Sequence, residues 1–383
     1  MAFVSILILF VGAISIAYFY GLLLASFAYH PVPLKLGPKN KILILVPAHN
    51  EEAVIGHTIR RVQEVHYPES LYEIHVVADH CEDGTAACAE SAGARVHRRD
   101  SGPRGQKGLA LSWLFDRVRT LTFDAIVILD ADAKIEKNFL LALNTLLEKG
   151  EVAVQGQQRI SNPKAGWYAA LTSALYRIDN LVHNQGRYAL GGSARHMGDS
   201  ICLRKELVEE LGFGQGLTED HSLRQRLLLS GRKIAYASQA IAYNEAAATW
   251  KDARVQRMRW MQGTIQGDRE SRFVLLKVGL KRRNFPAIEA GLESLLPSYT
   301  TLAATVAIFT LVFWSSSWLG LLLAVVFFPF GGLLAAKAPL SDFFALSTGP
   351  FFILWRCGLA VSLRLFPREI SWVRTPRGQE TSS

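Results

Sequence analysis

The chain has 383 residues, half of them hydrophobic, and a formal net charge of +9, which leaves room for one sizeable globular domain and something besides. Four cysteines, Cys81, Cys88, Cys202 and Cys357, form no CxxC pair, which argues against a disulfide framework and a structural zinc site. The positive charge is concentrated between Lys251 and Arg283, ten basic residues against three acidic. No nucleic-acid recognition motif accompanies it, so nucleic acid is set aside in favour of anionic lipid headgroups and a phosphate-rich substrate.

In chain order, Phe3 to Tyr29 runs for 27 positions without a charge, more than the roughly 20 residues needed to cross a hydrocarbon core of ~30 Å. It lacks the basic start and short apolar core of a cleaved signal and reads as an uncleaved anchor. "KILILVPAHNEEAVIGHTIRRVQEV" then passes from an apolar run through a polar turn to Ile55, Ile59 and Val62 at helical spacing: strand, loop, helix. "EIHVVADHCEDGT" repeats the pattern, "ARVHRRD" is a short strand, Lys107 to Val118 a helix and "DAIVILDAD" a fourth strand. The alternation predicts an α/β domain with a mainly parallel sheet. Ligands collect at the carboxyl ends of such strands, where Asn50, Glu51, Asp79, Asp130 and Asp132 fall. No GxGxxG follows the first strand and no Walker loop is present, which argues against a dinucleotide-binding Rossmann domain.

Further on, Thr218, Glu219 and Asp220 precede a helix with Leu223, Leu227 and Leu228 on one face; by itself this is a helix start, with acidic residues complementing the dipole. In "QRMRW", Gln256, Arg259 and Trp260 share one helical face, where Arg259 can clamp a diphosphate and Trp260 can stack on a sugar. A second uncharged run, Ser294 to Ala336, spans 43 residues and predicts a membrane hairpin turning at Ser315 to Ser317. Lys35, Lys39, Lys41, Lys281, Arg282, Arg283 and Lys337 flank the spans and place the domain between them in the cytoplasm. Phe343 to Leu363 is interrupted by Gly349, Pro350 and Arg356 and is expected to lie bent on the cytoplasmic leaflet, with the polar tail beyond it returning towards the site.

Two carboxylates at i and i+2 after a strand, Asp130 and Asp132, suit a magnesium or manganese ion that shares its other positions with phosphate oxygens. Asp79, ending another strand, can accept hydrogen bonds from a nucleotide base or ribose. Taken together, "VPAHNE", "DHCEDGT", Lys107, "DAD", "GGSARHMG", "TED", "QRMRW" and "WVRTPR" follow in an order that resembles the membrane-bound inverting glycosyltransferases of family 2, the group of cellulose, chitin and hyaluronan synthases and ceramide glucosyltransferases. The resemblance covers nearly the whole chain. It implies a GT-A fold, Rossmann-like with a mainly parallel sheet, between N-terminal and C-terminal transmembrane helices. The divisions are an anchor at 1–34, a cytoplasmic catalytic domain at 35–283, an amphipathic lead-in and hairpin at 284–337, and an interfacial segment and tail at 338–383.

On that resemblance Asp220 is the base, positioned by Glu219 and Thr218, and Asp132 with Asp130 binds divalent magnesium or manganese. Pro47, Asn50, Glu51, Asp79, Lys107, Asp130, Gln256, Arg259, Arg374 and Arg377 bind the nucleotide sugar, and Trp260, Gly192 and Ser193 the acceptor. The expected activity is transfer from a UDP-sugar to a growing polysaccharide at the inner (plasma) membrane. The alternative is addition of one sugar to a lipid or lipid-linked acceptor, and a lesser one is a non-catalytic scaffold. Partners are the nucleotide sugar, a saccharide or lipid-linked acceptor, membrane lipids, and a second copy or a translocation partner. His196 and Met197 leave the acceptor open. His196 is expected to be a packed or hydrogen-bonded loop residue, and His49, His80 and His221 form no metal cluster.

Overall fold

The computed structural model describes residues 2–104, 106–214, 216, 218–247 and 249–365. Arg374, Arg377 and the rest of "WVRTPR" lie outside the described residues. The chain divides into two units, one helical and apolar, drawn from the start of the chain to 29, from 162–192 and from 268 onward, the other carrying the sheet, drawn from 30–161 and 193–267.

The chain opens on helix α1 (Ala2–Ser26) of the helical unit and then enters the sheet unit. There β1 (Ile42–Ala48) leads to α2 (Glu52–Gln63), β2 (Tyr72–Asp79) to α3 (Thr85–Ser91), and β3 (Arg95–Arg99) to α4 (Lys107–Val118). After β4 (Ala125–Ile128) come the turn of "DAD", the two-residue β5 (Lys134–Ile135) and α5 (Phe139–Leu147). Ile42 to Val46 have no exposure at all, as expected of a strand covered on both faces. These four strands are where the sequence puts them, and β1 pairs in parallel with β2 and β4, β2 with β3.

The second half of the sheet was not read from the sequence. Strand β6 (Ala153–Ile160) is followed by an excursion through α6 (Trp167–Asp179), a π-helical turn at Asn180–Gly186 and α7 (Arg187–Ala189) before β7 (Ile201–Arg204), α8 (Lys205–Leu211), α9 (Glu219–Leu229) and β8 (Ala235–Asn244). The order across the sheet is β3-β2-β1-β4-β7-β6-β8-β5. β7 runs antiparallel to both neighbours, with Ile201 opposite Ile128. The residues just before β7 therefore arrive beside the carboxyl end of β4, where Asp130 and Asp132 follow. That inversion builds the candidate site.

Helix α10 (Trp250–Arg282) begins in the sheet unit; α11 (Phe285–Glu293), α12 (Tyr299–Phe313), α13 (Ser316–Ala335), α14 (Leu340–Ala345) and α15 (Gly349–Leu365) belong to the helical unit. Its core gathers Phe19 and Leu22 of α1, Val182 of the π turn, Leu302 and Val306 of α12 and Trp318 and Leu333 of α13. Among the described residues three helices, Phe3–Ser26, Ser316–Ala335 and Leu340–Leu365, are long and apolar enough to cross a membrane by length and composition. The expected hairpin turn falls at Trp314, with φ +36°, and Ser315 caps α13 by accepting the Trp318 N–H. At 15 residues α12 is shorter than those three, about 22 Å of helix. Gly349 and Pro350 start α15 rather than break it, because a proline in the first turn has no N–H to leave unpaired.

One charged group is wholly enclosed in this unit. Arg187 donates from Nε to Glu289 Oε1 (2.8 Å) and from Nη2 to Glu293 Oε1 (2.7 Å) and the Tyr18 hydroxyl (2.8 Å), which in turn donates to Glu289 Oε1. Beside it Gly186 meets the backbone of α1: a Cβ there would lie 2.0 Å from the Leu22 carbonyl oxygen. Gly186→Ala should therefore destabilise the detergent-solubilised protein by about 1–3 kcal/mol, read as a fall in Tm. Gly21→Ala, with nothing within 4 Å of its Cβ, should leave Tm unchanged.

Candidate active site

Lys107, the first residue of α4, points its ammonium at two groups: Nζ donates to Asp130 Oδ1 (2.5 Å) and to the carbonyl oxygen of Gly198 (2.8 Å). The side chain is 16% exposed, and despite burial the surrounding carboxylates of Asp130, Glu219 and Asp199 hold it protonated. Gly198 has φ +92°, Ser200 φ +58°, and the Ser200 N–H donates to Ile128 of β4 (2.8 Å). Asp199 between them is buried. Its Oδ1 accepts from the amides of Gln158 and Asn244, and its backbone carbonyl accepts from Gln155 (2.8 Å) and Gln158 (3.3 Å). Burial and the nearby Asp130 push the Asp199 carboxyl up to about 7.

Thr218 stands at the N-cap position of α9 without a side-chain capping hydrogen bond, and Glu219 and Asp220 occupy the first turn. Leu223, Leu227 and Leu228 are buried as expected. The first turn is pressed close to its neighbours through glycines. A Cβ on Gly108 of α4 would lie 2.1 Å from the Gly214 carbonyl oxygen, and one on Gly214 would lie 1.6 Å from that of Glu219. On the other side a Cβ on Gly263 of α10 would lie 2.5 Å from Thr218 Cγ2. Gly263 is one turn beyond Arg259, whose guanidinium lies within the field of Glu219, Asp130 and Asp220 and is held below its ordinary value by burial. Packed protein, then the Asp220 charge, push the Glu219 carboxyl up to about 7.

Lys107, Asp130, Glu219, Asp220 and Arg259 are thus brought together, as the sequence anticipated. Asp132 is buried in the same turn. Trp260 is half-buried with the Arg257 guanidinium 5.1 Å from its ring, and Gln256 lies half-buried on the Arg259 side of α10. Along the neighbouring strand ends, Asp79 is ion-paired with the buried Arg99 and hydrogen-bonded to His80 Nδ1 (2.9 Å). Asn50, at φ +55°, accepts from the Glu82 N–H (2.8 Å), the Glu51 N–H donates to Thr85 (2.7 Å), and Pro47 lies in β1 opposite Val77. Gly192 and Ser193 have local structural uses. A Cβ on Gly192 would meet the Arg187 side chain at 2.7 Å, and the fully buried Ser193 hydroxyl accepts from the Ile234 N–H (3.0 Å). Sequence reasoning missed Arg99, Gly198, Asp199 and Gly263. Of these only the Gly198 and Asp199 pair, a glycine and an acid next to a strand, left any trace.

A mostly parallel α/β sheet in this strand order, with acidic and basic side chains gathered at its carboxyl ends, is a fold of the GT-A type. Residues 38–263 match the family described as Glycosyltransferase like family 2, and the chain belongs to that family. It is 30% identical over 234 residues to the beta-monoglucosyldiacylglycerol synthase of Trichormus variabilis, covering 59% of this chain and 49% of the relative. It is 29% identical over 238 residues to a probable glycosyltransferase of Bacillus subtilis, covering 58% and 55%. The chain spans about half the length of these curated relatives. In fold it is similar to a mannosyltransferase from Pyrobaculum calidifontis in complex with GDP-mannose and Mn2+, at 17% identity and TM-score 0.50 over 86% of this chain and 99% of that one.

Two outcomes follow. Gly263→Ala should lower turnover by forcing α10 off Thr218, and Gly263→Ala combined with Thr218→Ala should lose less than Gly263→Ala alone, measured as sugar transfer. Glu219, protonated in the folded state up to about 7 against 4.5 ordinarily, stabilises the fold less as pH rises across that window. Glu219→Gln should therefore raise Tm at about pH 8 and leave it nearly unchanged near about pH 5.

Proposed function

We propose that the chain is a membrane-bound inverting glycosyltransferase that moves a single sugar from a nucleotide sugar, a UDP-sugar by preference, to the hydroxyl of a lipid acceptor of the diacylglycerol class. The observation that carries the chemistry is the convergence of two cations, Lys107 and Arg259, on the same small space as the Asp220 and Glu219 carboxylates. The sequence put a polysaccharide product first. The name of the Trichormus relative and the three long apolar helices support the lipid acceptor instead.

In this reading Asp220 accepts the proton of the acceptor hydroxyl as its oxygen attacks the anomeric carbon. The bond from that carbon to the diphosphate breaks on the opposite face, which inverts the centre. Arg259 offers paired N–H donors to the departing diphosphate, and Lys107, already neutralised in part by Asp130, adds a second positive charge. Asp220 keeps one oxygen engaged, since Oδ1 accepts the His221 N–H (2.8 Å), which fixes the carboxylate's orientation. Glu219 and Thr218 set the first turn that holds it. Asp79, braced by Arg99, faces the nucleotide, with Pro47, Asn50 and Glu51 forming the adjoining wall. Trp260 lines the acceptor side, and Gln256 stands beside Arg259 on the nucleotide-sugar side.

Among the described residues no group of three or more His, Cys, Asp or Glu is placed to hold a metal ion by itself. That fits magnesium or manganese, which take one or two carboxylates and complete their shell with substrate phosphates and water. Asp132 and Asp130 would hold it, and the ion when bound would offset charge on the diphosphate. The basic residues beside the spans, Lys35, Lys39 and Lys41 after the first and Lys281, Arg282 and Arg283 before the hairpin, support a cytoplasmic catalytic unit at the inner membrane.

Purified protein in mixed micelles with UDP-glucose or UDP-galactose and diacylglycerol should yield a lipid heavier by one hexose. A ladder of masses would return the polysaccharide reading, and no UDP release with any donor would overturn both. Asp220→Asn should lower kcat by about 10²–10⁴ while calorimetry with UDP and manganese gives an unchanged Kd.

A further inference from the structure

The buried Asp199 has no part in the chemistry above, yet the turn it occupies sets the geometry of Lys107. An ammonium has three N–H donors. Among the described residues Lys107 spends two of them, on Asp130 Oδ1 (2.5 Å) and on the Gly198 carbonyl oxygen (2.8 Å). Two fixed bonds at a tetrahedral nitrogen leave one direction for the third. The position of the Gly198 carbonyl therefore governs what the remaining N–H of Lys107 can reach.

That carbonyl belongs to strained backbone. Gly198 is at φ +92° and Ser200 at φ +58°, and a residue other than glycine stays in the left-handed region only where its surroundings over-determine it. The surroundings here are three amide side chains from two strands. Gln158 of β6 and Asn244 of β8 both donate to Asp199 Oδ1, the second at 3.2 Å, and Gln155 of β6 donates to the Asp199 carbonyl (2.8 Å). Met197 is held by the same pair, its N–H donating to Gln155 Oε1 (3.2 Å) and its carbonyl accepting from Gln158 (2.9 Å). His196, expected to be a packed or hydrogen-bonded loop residue, is both: it is buried, and its Nδ1 accepts the Gly198 N–H (3.3 Å).

The polarity of "AVQGQQRI" has its reason in this turn. Residues three apart on a regular strand face opposite ways, yet Gln155 and Gln158 reach the same four residues. Pairing of β6 with β8 slips between Gly156 and Gln157, and a Cβ on Gly156 would lie 2.7 Å from the Ala240 carbonyl oxygen. The glycine makes room for the irregularity that brings both amides to one side.

Resting on the glycosyl-transfer reading above, we propose that Asp199 is a positioning residue for the donor: clamped by Gln155, Gln158 and Asn244, it fixes the Gly198 carbonyl and so aims the Lys107 ammonium at the diphosphate. It acts through Lys107 and touches no substrate.

Calorimetry of UDP with manganese on the full-length protein in detergent gives the first readout. Donor and acceptor KM values, with UDP-glucose or UDP-galactose and dioctanoylglycerol, give the second. Asp199→Ala removes the oxygen that Gln158 and Asn244 share; it should weaken UDP binding about tenfold and raise the donor KM alike, leaving the acceptor KM unchanged. Asp199→Asn keeps Oδ1 and should stay within about threefold of the parent. In a Lys107→Met background Asp199→Ala should weaken UDP binding no further, because the two residues act as one. Equal UDP affinity in the parent and the Ala variant overturns the assignment. So do additive losses in the double variant, or a joint rise of donor and acceptor KM with a fall in Tm, which is the signature of a packing role. Should Lys107→Met fail to fold, the donor-against-acceptor split and the rescue by Asn decide between the two roles. A parent protein that binds no UDP, or transfers from neither sugar nucleotide, overturns the glycosyl-transfer reading itself, and this proposal with it.

Discussion

The ammonium of Lys107 is the group around which the candidate site is assembled. It holds Asp130, which follows β4, and the carbonyl of Gly198, which precedes β7, so one cation joins two segments that only the antiparallel insertion of β7 brings side by side. Asp199 and Glu219 nearby are already pushed towards neutrality by burial and by neighbouring carboxylates. Removing a partner from a buried, hydrogen-bonded charge of this kind costs about 3–5 kcal/mol. Without the lysine several acids would face one another in a poorly solvated space. That one positive charge is therefore what lets these acids share a folded site.

The approach of α9 to its neighbours is governed by a different constraint, the absence of side chains. At Gly108, Gly214 and Gly263 any Cβ would overlap a backbone carbonyl or Thr218, so the first turn carrying Glu219 and Asp220 is gripped between α4 and α10 at van der Waals contact. Close packing has no slack to absorb even a methyl group. Charge places Lys107 and Asp130; shape places Asp220 and Arg259.

What the sequence revealed follows the same division. The strands β1, β2 and β4 are legible because each is an unbroken or nearly unbroken apolar run followed by a polar turn, while β3 is the short, basic "RVHRR". "AVQGQQRI" and "ICLR", by contrast, are too polar or too short to stand out, and their pairing is set by tertiary context. The carboxylates of "DAD" and "TED" and the Arg259 face carry their chemistry in residue type and spacing. Gly198, Asp199 and His196 do not, since an ordinary-looking loop gains meaning only when β7 turns back beside β4. Arg99 was hidden in a strand that reads as exposed and basic, yet its guanidinium is buried against Asp79. Pro350 was read as a breaker, and its position in the first turn of α15 makes it a start.

The excursion 162–192 between β6 and β7 bears on how the chain reaches this structure. β1 to β4 are joined by local crossovers and can pair in chain order, whereas the far edge of β4, and β6, wait for β7, beyond α6, the π turn and α7. Closing that long segment loses chain entropy before any strand pairing compensates for it. Until then the β4 edge, with Ile126, Val127 and Ile128, is an unpaired apolar strand of the kind that recruits other chains. Newly made protein passes through a stage in which its central strand is its most adhesive surface, and a slow-folding excursion lengthens that stage.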